Sequence, residues 1–393
     1  MNPKLHQLHS YPFQKLNQLI STITPKRADT IKLTIGEPQH QPPEFVIETL
    51  KAHLDKLAYY PKTMGNYALR KAIAEWANQR FSLDKTTLDP EQHILPVNGT
   101  REALFAFIQA AIDPALQAKV LLPNPFYQIY EGAAMLAGAE PYYIADTASH
   151  SIDEQIENLP ASVLNDCQLL MLCNPANPTG RTISMAAYRR LIELADQYDF
   201  IVASDECYSE IYTQTAPLGL LEVCNLIGRD DFHRCVVFNS LSKRSNLPGL
   251  RSGFVAGDKV LIKAFLQYRT YHGCAMSETT QYASIAAWQD EEHVITNRRA
   301  YQQRFAKVTP ILQQSLPVET PAGGFFLWLP LPDDDVKLCQ ALYHQQNVLL
   351  LPGQFLSREV DGVNPGKQYA RMALVCSDER CIEAANRINS FFN

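Results

Sequence analysis

The stretch Ser240-Leu241-Ser242-Lys243-Arg244-Ser245-Asn246-Leu247-Pro248-Gly249-Leu250-Arg251-Ser252-Gly253 follows an apolar run, Cys235–Phe238, that suits a buried strand. A lysine just past a strand, with hydroxyls three residues and one residue before it and an arginine eight residues after it, is an unusual grouping. Two hydroxyls and a guanidinium suit a phosphate dianion. A lysine amine is the side chain that forms Schiff bases. On their own, the same residues also make an exposed basic loop with incidental serines.

Working outward, four more segments carry chemistry. Asn174-Pro175-Ala176-Asn177-Pro178-Thr179-Gly180 follows the apolar run Leu169–Cys173. Its two Asn-Pro steps impose a tight, extended turn. A turn at the carboxyl end of a strand lies where open α/β sheets bind ligands, though it also serves as a plain connection. Within Phe200–Tyr208 a buried strand ends in a carboxylate, Asp205, with Tyr208 three residues on; Asp205 either faces a cofactor or caps a helix. Pro96–Leu104 is a glycine turn feeding an amphipathic helix, an anion site or an ordinary helix start. Leu121–Tyr130 sets aromatics after a Pro turn, where Tyr127 stacks on a planar ring or simply packs.

These segments sit in an alternating texture. Helical spacing recurs in Tyr67–Phe81, Arg101–Ile112 and Ala186–Tyr198, and short apolar runs lie at Val120–Leu122, Leu169–Cys173, Phe200–Ala203, Cys235–Phe238 and Gly253–Ala256. Strands alternating with helices predict an α/β fold with a mostly parallel sheet between helices. After Glu291 the texture changes to a helix at Arg298–Gln314, strands at Gly323–Leu329, Asn347–Leu351 and Tyr369–Val375, and a closing helix at Asp378–Phe392. For 393 residues, at ~150 per domain, two or three domains are expected. The reading is a large domain over 30–288 and a smaller α+β domain built from 1–29 and 289–393.

Composition narrows the function. Lys plus Arg is 35 and Asp plus Glu is 41, a net charge of −6, which lacks the basic footprint of a nucleic-acid or membrane-surface protein. The nine cysteines include no C-x-x-C pair and several sit in apolar runs, so they read as reduced thiols, with no metal site. Cys207, beside Asp205, is the one singled out for modification. No apolar run approaches the ~18–20 residues of a membrane span, and the N-terminus lacks the apolar core of a secretory signal; a cytoplasmic protein is expected. No G-x-G-x-x-G follows a strand, which removes the main support for a nicotinamide enzyme.

The order and spacing of these motifs resemble the class I/II pyridoxal-5′-phosphate aminotransferases of fold type I, from Ile35-Gly36-Glu37-Pro38 to Arg371. The resemblance implies a large domain with a seven-stranded type of sheet and pyridoxal 5′-phosphate as cofactor. By it, Lys243 is the Schiff-base lysine, Asp205 holds the pyridine nitrogen, and Tyr208 and Asn177 bond the phenolic oxygen. Tyr127 stacks on the ring. Gly99, Thr100, Arg101, Ser240, Ser242 and Arg251 form the phosphate cup. Tyr60 reaches the phosphate of a neighbouring subunit, implying a homodimer with shared sites. Arg371, with backbone of Gly36 and with Asn177, holds the α-carboxylate of an amino-acid or 2-oxo-acid substrate. Kinetics of the ping-pong type follow.

Within the family, the stretches from Tyr11, from Tyr60 to Ala68, from Ser242 and from Tyr268 look most like succinyldiaminopimelate aminotransferases, which serve lysine and diaminopimelate synthesis with glutamate as donor. Arg27, Lys62, Arg244 and Arg269 are the candidates for a distal carboxylate, or else ordinary ion pairs. Aspartate, aromatic and acetylornithine transaminases and carbon–sulfur lyases of the same fold are the alternatives.

Overall fold

The apolar runs pair into a seven-stranded sheet. Its strands are β1 (Ile94–Val97), β2 (Lys119–Asn124), β3 (Glu140–Ala145), β4 (Cys167–Cys173), β5 (Ile201–Asp205), β6 (Cys235–Ser240) and β7 (Gly253–Gly257). The spatial order is β1-β7-β6-β5-β4-β2-β3. Strand β7 runs antiparallel to both neighbours, and the remaining pairings are parallel. The computed structural model describes residues 1–83, 88–147 and 150–393.

Strand β6 is buried along its whole length, and β4 at every residue except Gln168. Both faces are covered, as a parallel sheet requires. Successive side chains point to opposite faces, so Leu170 and Leu172 join one core while Leu169 and Met171 join the other. Helices Tyr67–Arg80, Met185–Tyr198 and Glu278–Gln289 cover the first face, around Trp76, Tyr188 and Trp288. Helices Thr100–Ala111, Ile129–Ala137 and Lys259–His272 cover the second, around Phe107, Phe238 and Phe265.

Two strands, β1 and β3, were not expected from the pattern. They are the two edges of the sheet, and each holds a proline, Pro96 and Pro141. An edge strand tolerates proline because one row of its backbone groups is unpaired. Strand β3 is also largely half-exposed, so its sequence shows no continuous apolar run.

A second core forms around a three-stranded antiparallel sheet in the order β9-β10-β8, from β8 (Phe326–Pro330), β9 (Leu351–Pro352) and β10 (Tyr369–Ala373). The helices Glu292–Leu312 and Asp378–Phe392 pack over it. The single strand expected at Asn347–Leu351 is split. Val348–Leu349 pairs in parallel with Ile31–Lys32, and the chain then crosses to pair Leu351 with Arg371. That pairing carries Ile31 and Leu33 into the second core, so a boundary at residue 29 or 30 falls just ahead of segments that pack with it. The helix Pro12–Ile20 packs on the same part through Leu16, which meets Leu349, Leu351 and Leu356. Among the described residues no helix is long and apolar enough to cross a membrane.

Candidate active site

The carboxyl ends of β1, β2, β4, β5 and β6 share one edge of the large sheet. Because β7 is reversed, the residues before it, Arg251 included, reach that same edge. The edge borders a cavity of about 600 Å³, closed on the far side by Arg371 and Phe326 and at the mouth by Tyr11, Pro12 and Phe13. Its size suits a small planar ligand with a substrate.

Lys243 lies within the short helix Leu241–Arg244 that follows β6. Its Nζ donates to the Gly36 carbonyl and lies 5.2 Å from the centre of the Phe325 ring. Burial brings its ammonium down to about 8, against the opposing pull of Cys207. The amine therefore exchanges protons close to neutral pH, as a catalytic base must. Asp205 ends β5 and is 5% exposed. Its Oδ2 accepts from the Tyr130 hydroxyl at 2.7 Å and its Oδ1 from the Cys207 N–H at 3.2 Å. Burial raises its carboxyl above the usual range. A buried carboxylate facing a cavity awaits a cationic partner.

Arg371 is the central residue of β10. It donates to the Asn177 Oδ1 at 2.9 Å and to the Thr34 carbonyl at 2.7 Å, and its guanidinium lies 4.4 Å from the centre of the Phe326 ring. Its Nε is buried without a partner. Burial lowers its pKa to about 10. A buried guanidinium with an unmatched donor is a site for an anionic group. Tyr208 stands in the same wall, edge-on to Phe325 and Phe326, with its phenol pushed well above the ordinary range by burial.

The anion cup is built at the start of the helix Thr100–Ala111, whose first N–H groups have no intrahelical acceptors. Gly99 holds φ +81°, and a Cβ there would lie 2.3 Å from an Arg251 nitrogen. Only glycine lets the guanidinium approach the turn so closely. Arg251 is fixed by the Pro248 carbonyl at 2.9 Å and the Asn98 carbonyl at 3.3 Å. Thr100, Arg101, Ser242 and Arg251 line the cavity. Ser240 does not: it is fully buried, and its Oγ caps Ser242 N at 3.0 Å and lies 2.9 Å from Ser242 Oγ. It stands behind the cup and orients Ser242.

Other expectations change in detail. Gly36 is on the wall, but the carbonyl it presents accepts from Lys243. A carbonyl oxygen repels a carboxylate, so only the Gly36 N–H suits one. Tyr127 lines the cavity, and its hydroxyl accepts from Arg101 Nε at 2.7 Å. Tyr60 is fully exposed and lies outside the cavity of its own chain.

Two of the four distal cations are engaged elsewhere. Arg244 is buried between Trp76 and Trp288 and paired with Glu291. Arg269 is buried and donates to Glu102 at 2.5 Å. Arg27 and Lys62 are exposed and line no part of the cavity of their own chain. Cys207 is buried at 8% exposure on the cavity wall, and burial raises its thiol well above its usual range, which disfavours the reactive thiolate.

Three supporting residues escaped the sequence. Tyr130 grips Asp205 and sits three residues after Tyr127, a spacing that was visible but unread. Tyr11 lies 3.3 Å from an Arg101 nitrogen and brings the N-terminal arm to the mouth. Asn297 donates to the Lys243 and Arg244 carbonyls at 3.0 and 3.2 Å and bonds His40 at 3.0 Å. His40 in turn meets Arg304, which pairs with Asp378 at 2.9 Å. No local pattern marks that chain, because its members are far apart in sequence.

Comparison with known proteins gives a consistent picture. The pattern of the family described as aminotransferase class I and II matches residues 28–388. The chain is 30% identical over 392 residues to the LL-diaminopimelate aminotransferase of Syntrophobacter fumaroxidans, covering 98% of this chain and 97% of that protein. It is 29% identical to the enzyme of the same name from Aquifex aeolicus, covering 98% of each. An aminotransferase structure from Neisseria meningitidis is 44% identical, with a TM-score of 0.96 and complete coverage of both chains. One from Helicobacter pylori is 34% identical, with a TM-score of 0.89, covering 98% of this chain and 99% of that one.

Proposed function

This chain belongs to the aminotransferase class I and II family, and from that premise we propose that it moves the free amino group of N-succinyl-LL-2,6-diaminopimelate to 2-oxoglutarate, leaving the 2-oxo acid and glutamate, and runs the same exchange in reverse. The chain is a pyridoxal-phosphate-dependent aminotransferase acting on small amino and 2-oxo acids. The observation that carries the catalytic reading is the convergence of Lys243, Asp205 and Arg371 on one cavity.

The residues fit the cofactor. The helix start at Thr100 with Ser242 and Arg251 suits its phosphate, the buried Asp205 suits a protonated ring nitrogen, and Tyr208 with Asn177 suits its ring oxygen. When bound, pyridoxal phosphate supplies an aldehyde carbon for the amino group and a cationic ring that draws electron density from it. Asp205 keeps the proton on that ring nitrogen, and Tyr130 keeps Asp205 in place. Arg371 holds the substrate α-carboxylate, its orphan Nε and its NH groups offering a fork. Lys243 Nζ takes the proton from the substrate α-carbon and gives it up again, a task suited to an amine brought to about 8. Tyr11, Pro12 and Phe13 line the cavity and add apolar surface from the N-terminal arm.

Arg101 serves the cup through its place in the first turn of the helix, and its side chain is the candidate reader of the distal end. Its guanidinium donates to Tyr127, lies near Tyr11 at the mouth and lines the cavity. A succinylated tail brings carboxylates to that guanidinium. A second reading, free LL-diaminopimelate, is favoured by the names of the relatives near 30% identity. We also propose the large domain over 30–288, apart from Ile31 and Leu33, which pack into the small one built from both chain ends, and a homodimer in which Tyr60 of each chain enters the other's cup. The exposed cluster of Leu54, Leu57, Tyr59 and Tyr60 supports the dimer. Nine free thiols support work in a reducing cytoplasm.

The test is a panel of donors with 2-oxoglutarate: N-succinyl-LL-diaminopimelate, LL-diaminopimelate, aspartate and an aromatic amino acid. The succinyl donor giving the highest kcat/KM supports the reading. A preference for the free diamine moves the assignment to the second reading, and a preference for aspartate removes both while leaving the family intact.

A further inference from the structure

Two thiols meet far from the cavity, where the last helix begins. Cys376 and Cys381 have their sulfurs 3.2 Å apart, in a hydrogen bond between thiols. The helix Asp378–Phe392 takes Ser377 as its N-cap, so Cys376 is the residue just before the cap and Cys381 is the fourth residue of the helix. An apolar pair at that spacing staples the incoming chain to the helix. Two aliphatic side chains would staple equally well, so the sulfur chemistry is additional to the packing.

The two thiols differ in the way an attacking and a resolving cysteine differ. Cys376 is half-buried, whereas Cys381 is fully buried in the second core. The hydrogen bond from Cys381, with Arg304 and Arg380 nearby, brings the Cys376 thiol down to about 7 and favours its thiolate. A thiolate at the entrance to a helix is the reactive form. By contrast, burial raises the thiols of Cys167, Cys173, Cys207 and Cys339.

We propose that Cys376 and Cys381 form a redox modification site, a dithiol that hydroperoxides oxidise reversibly to an intrachain disulfide. The Cys376 thiolate attacks a peroxide oxygen; the S–O bond forms, the O–O bond breaks, and hydroxide or alkoxide leaves and takes up a proton. The Cys381 sulfur then attacks the Cys376 sulfur. The S–S bond forms, the S–O bond breaks, and water leaves with the Cys381 proton. Two electrons pass from the thiols to the peroxide. The sulfurs must close by only about 1.2 Å to reach bonding distance. A small dithiol reverses the change by exchange.

The experiment treats the full-length holoenzyme with hydrogen peroxide and follows intact mass and peptide maps. The expected result is a loss of ~2 Da per chain, a cross-linked peptide joining Cys376 to Cys381, the seven other cysteines unmodified, and full reversal by dithiothreitol. Cys381→Ser should leave a sulfenic acid at Cys376 that dimedone traps, and Cys376→Ser should slow oxidation at least tenfold. The map of the wild-type chain decides the matter even if a variant folds poorly. No cross-link between these two residues, a disulfide at another pair, or wild-type oxidation rates in Cys376→Ser would overturn the proposal.

Discussion

Replacing Lys243 by methionine should make the cofactor-free protein more stable, although it destroys catalysis. The side chains are similar in length, and the change removes a buried cation. Its pKa falls from an ordinary 10.5 to about 8 by burial. At about 1.4 kcal/mol per pH unit, that shift represents about 3 kcal/mol of destabilisation wherever both folded and unfolded chains hold the proton. Losing the hydrogen bond to the Gly36 carbonyl gives back about 1 kcal/mol, which leaves about 2. With an unfolding entropy of roughly 2.1 cal/mol/K per residue, this corresponds to a Tm rise of about 2–3 °C. The pH dependence is the sharper signature. Between about 8 and 10.5 the unfolded lysine still binds its proton while the folded one has released it. Wild-type stability relative to the variant therefore rises with pH through that window, and the penalty is fully present below it. Thermal unfolding of the two apoproteins at pH 7 and pH 10 reads both effects. A variant less stable than wild type at pH 7, or a difference that does not narrow at pH 10, would refute the reasoning.

Three further outcomes are expected. Arg371→Ala should lower kcat/KM for every amino donor by about 10²–10³-fold, a cost of about 3–4 kcal/mol for losing a buried charged partner, while cofactor affinity stays within threefold; half-reaction kinetics and cofactor titration separate the two. Gly99→Ala should weaken cofactor binding at least tenfold, because its Cβ meets the Arg251 guanidinium and its φ is positive; equilibrium dialysis against pyridoxal phosphate measures this. Arg101→Ala should cut kcat/KM about tenfold or more for donors with a distal carboxylate and little for alanine, read as the ratio of the two, and an unchanged ratio would return the distal site to open search.

The sequence announced the centre of the fold and concealed its edges. Strands β4, β5 and β6 are buried on both faces, so each holds a continuous apolar run, Leu169–Cys173, Ile201–Ala203 and Cys235–Phe238, and that signal is local. Strands β1 and β3 carry prolines and, for β3, half-exposed residues, so the local signal is broken. The same division holds at the site. Lys243, Asp205 and Asn177 were legible because each follows an apolar strand directly, and a strand's carboxyl end has a known place in such a sheet. Arg244 and Arg269 take the ion-pair alternative, which the sequence could not choose because a cation carries no mark of burial. Only the fold brings Trp76 and Trp288 around the one and Glu102 against the other. The Ser240 hydroxyl is engaged by Ser242 and the Gly36 carbonyl by Lys243, and such partners depend on contacts remote in sequence or on local turns that the pattern does not show. The Cys376–Cys381 contact was missed because a helix start, rather than a C-x-x-C spacing, brings those sulfurs together.

The account rests on Lys243 being the residue that carries the cofactor. Borohydride reduction of the holoenzyme fixes the bond between a lysine nitrogen and the aldehyde carbon of pyridoxal phosphate, and peptide mapping then locates the label. The result expected is stoichiometric label on the peptide containing Lys243, with no visible cofactor band and no label in Lys243→Ala. Label on any other lysine, or a Lys243→Ala protein that keeps the band, would contradict it.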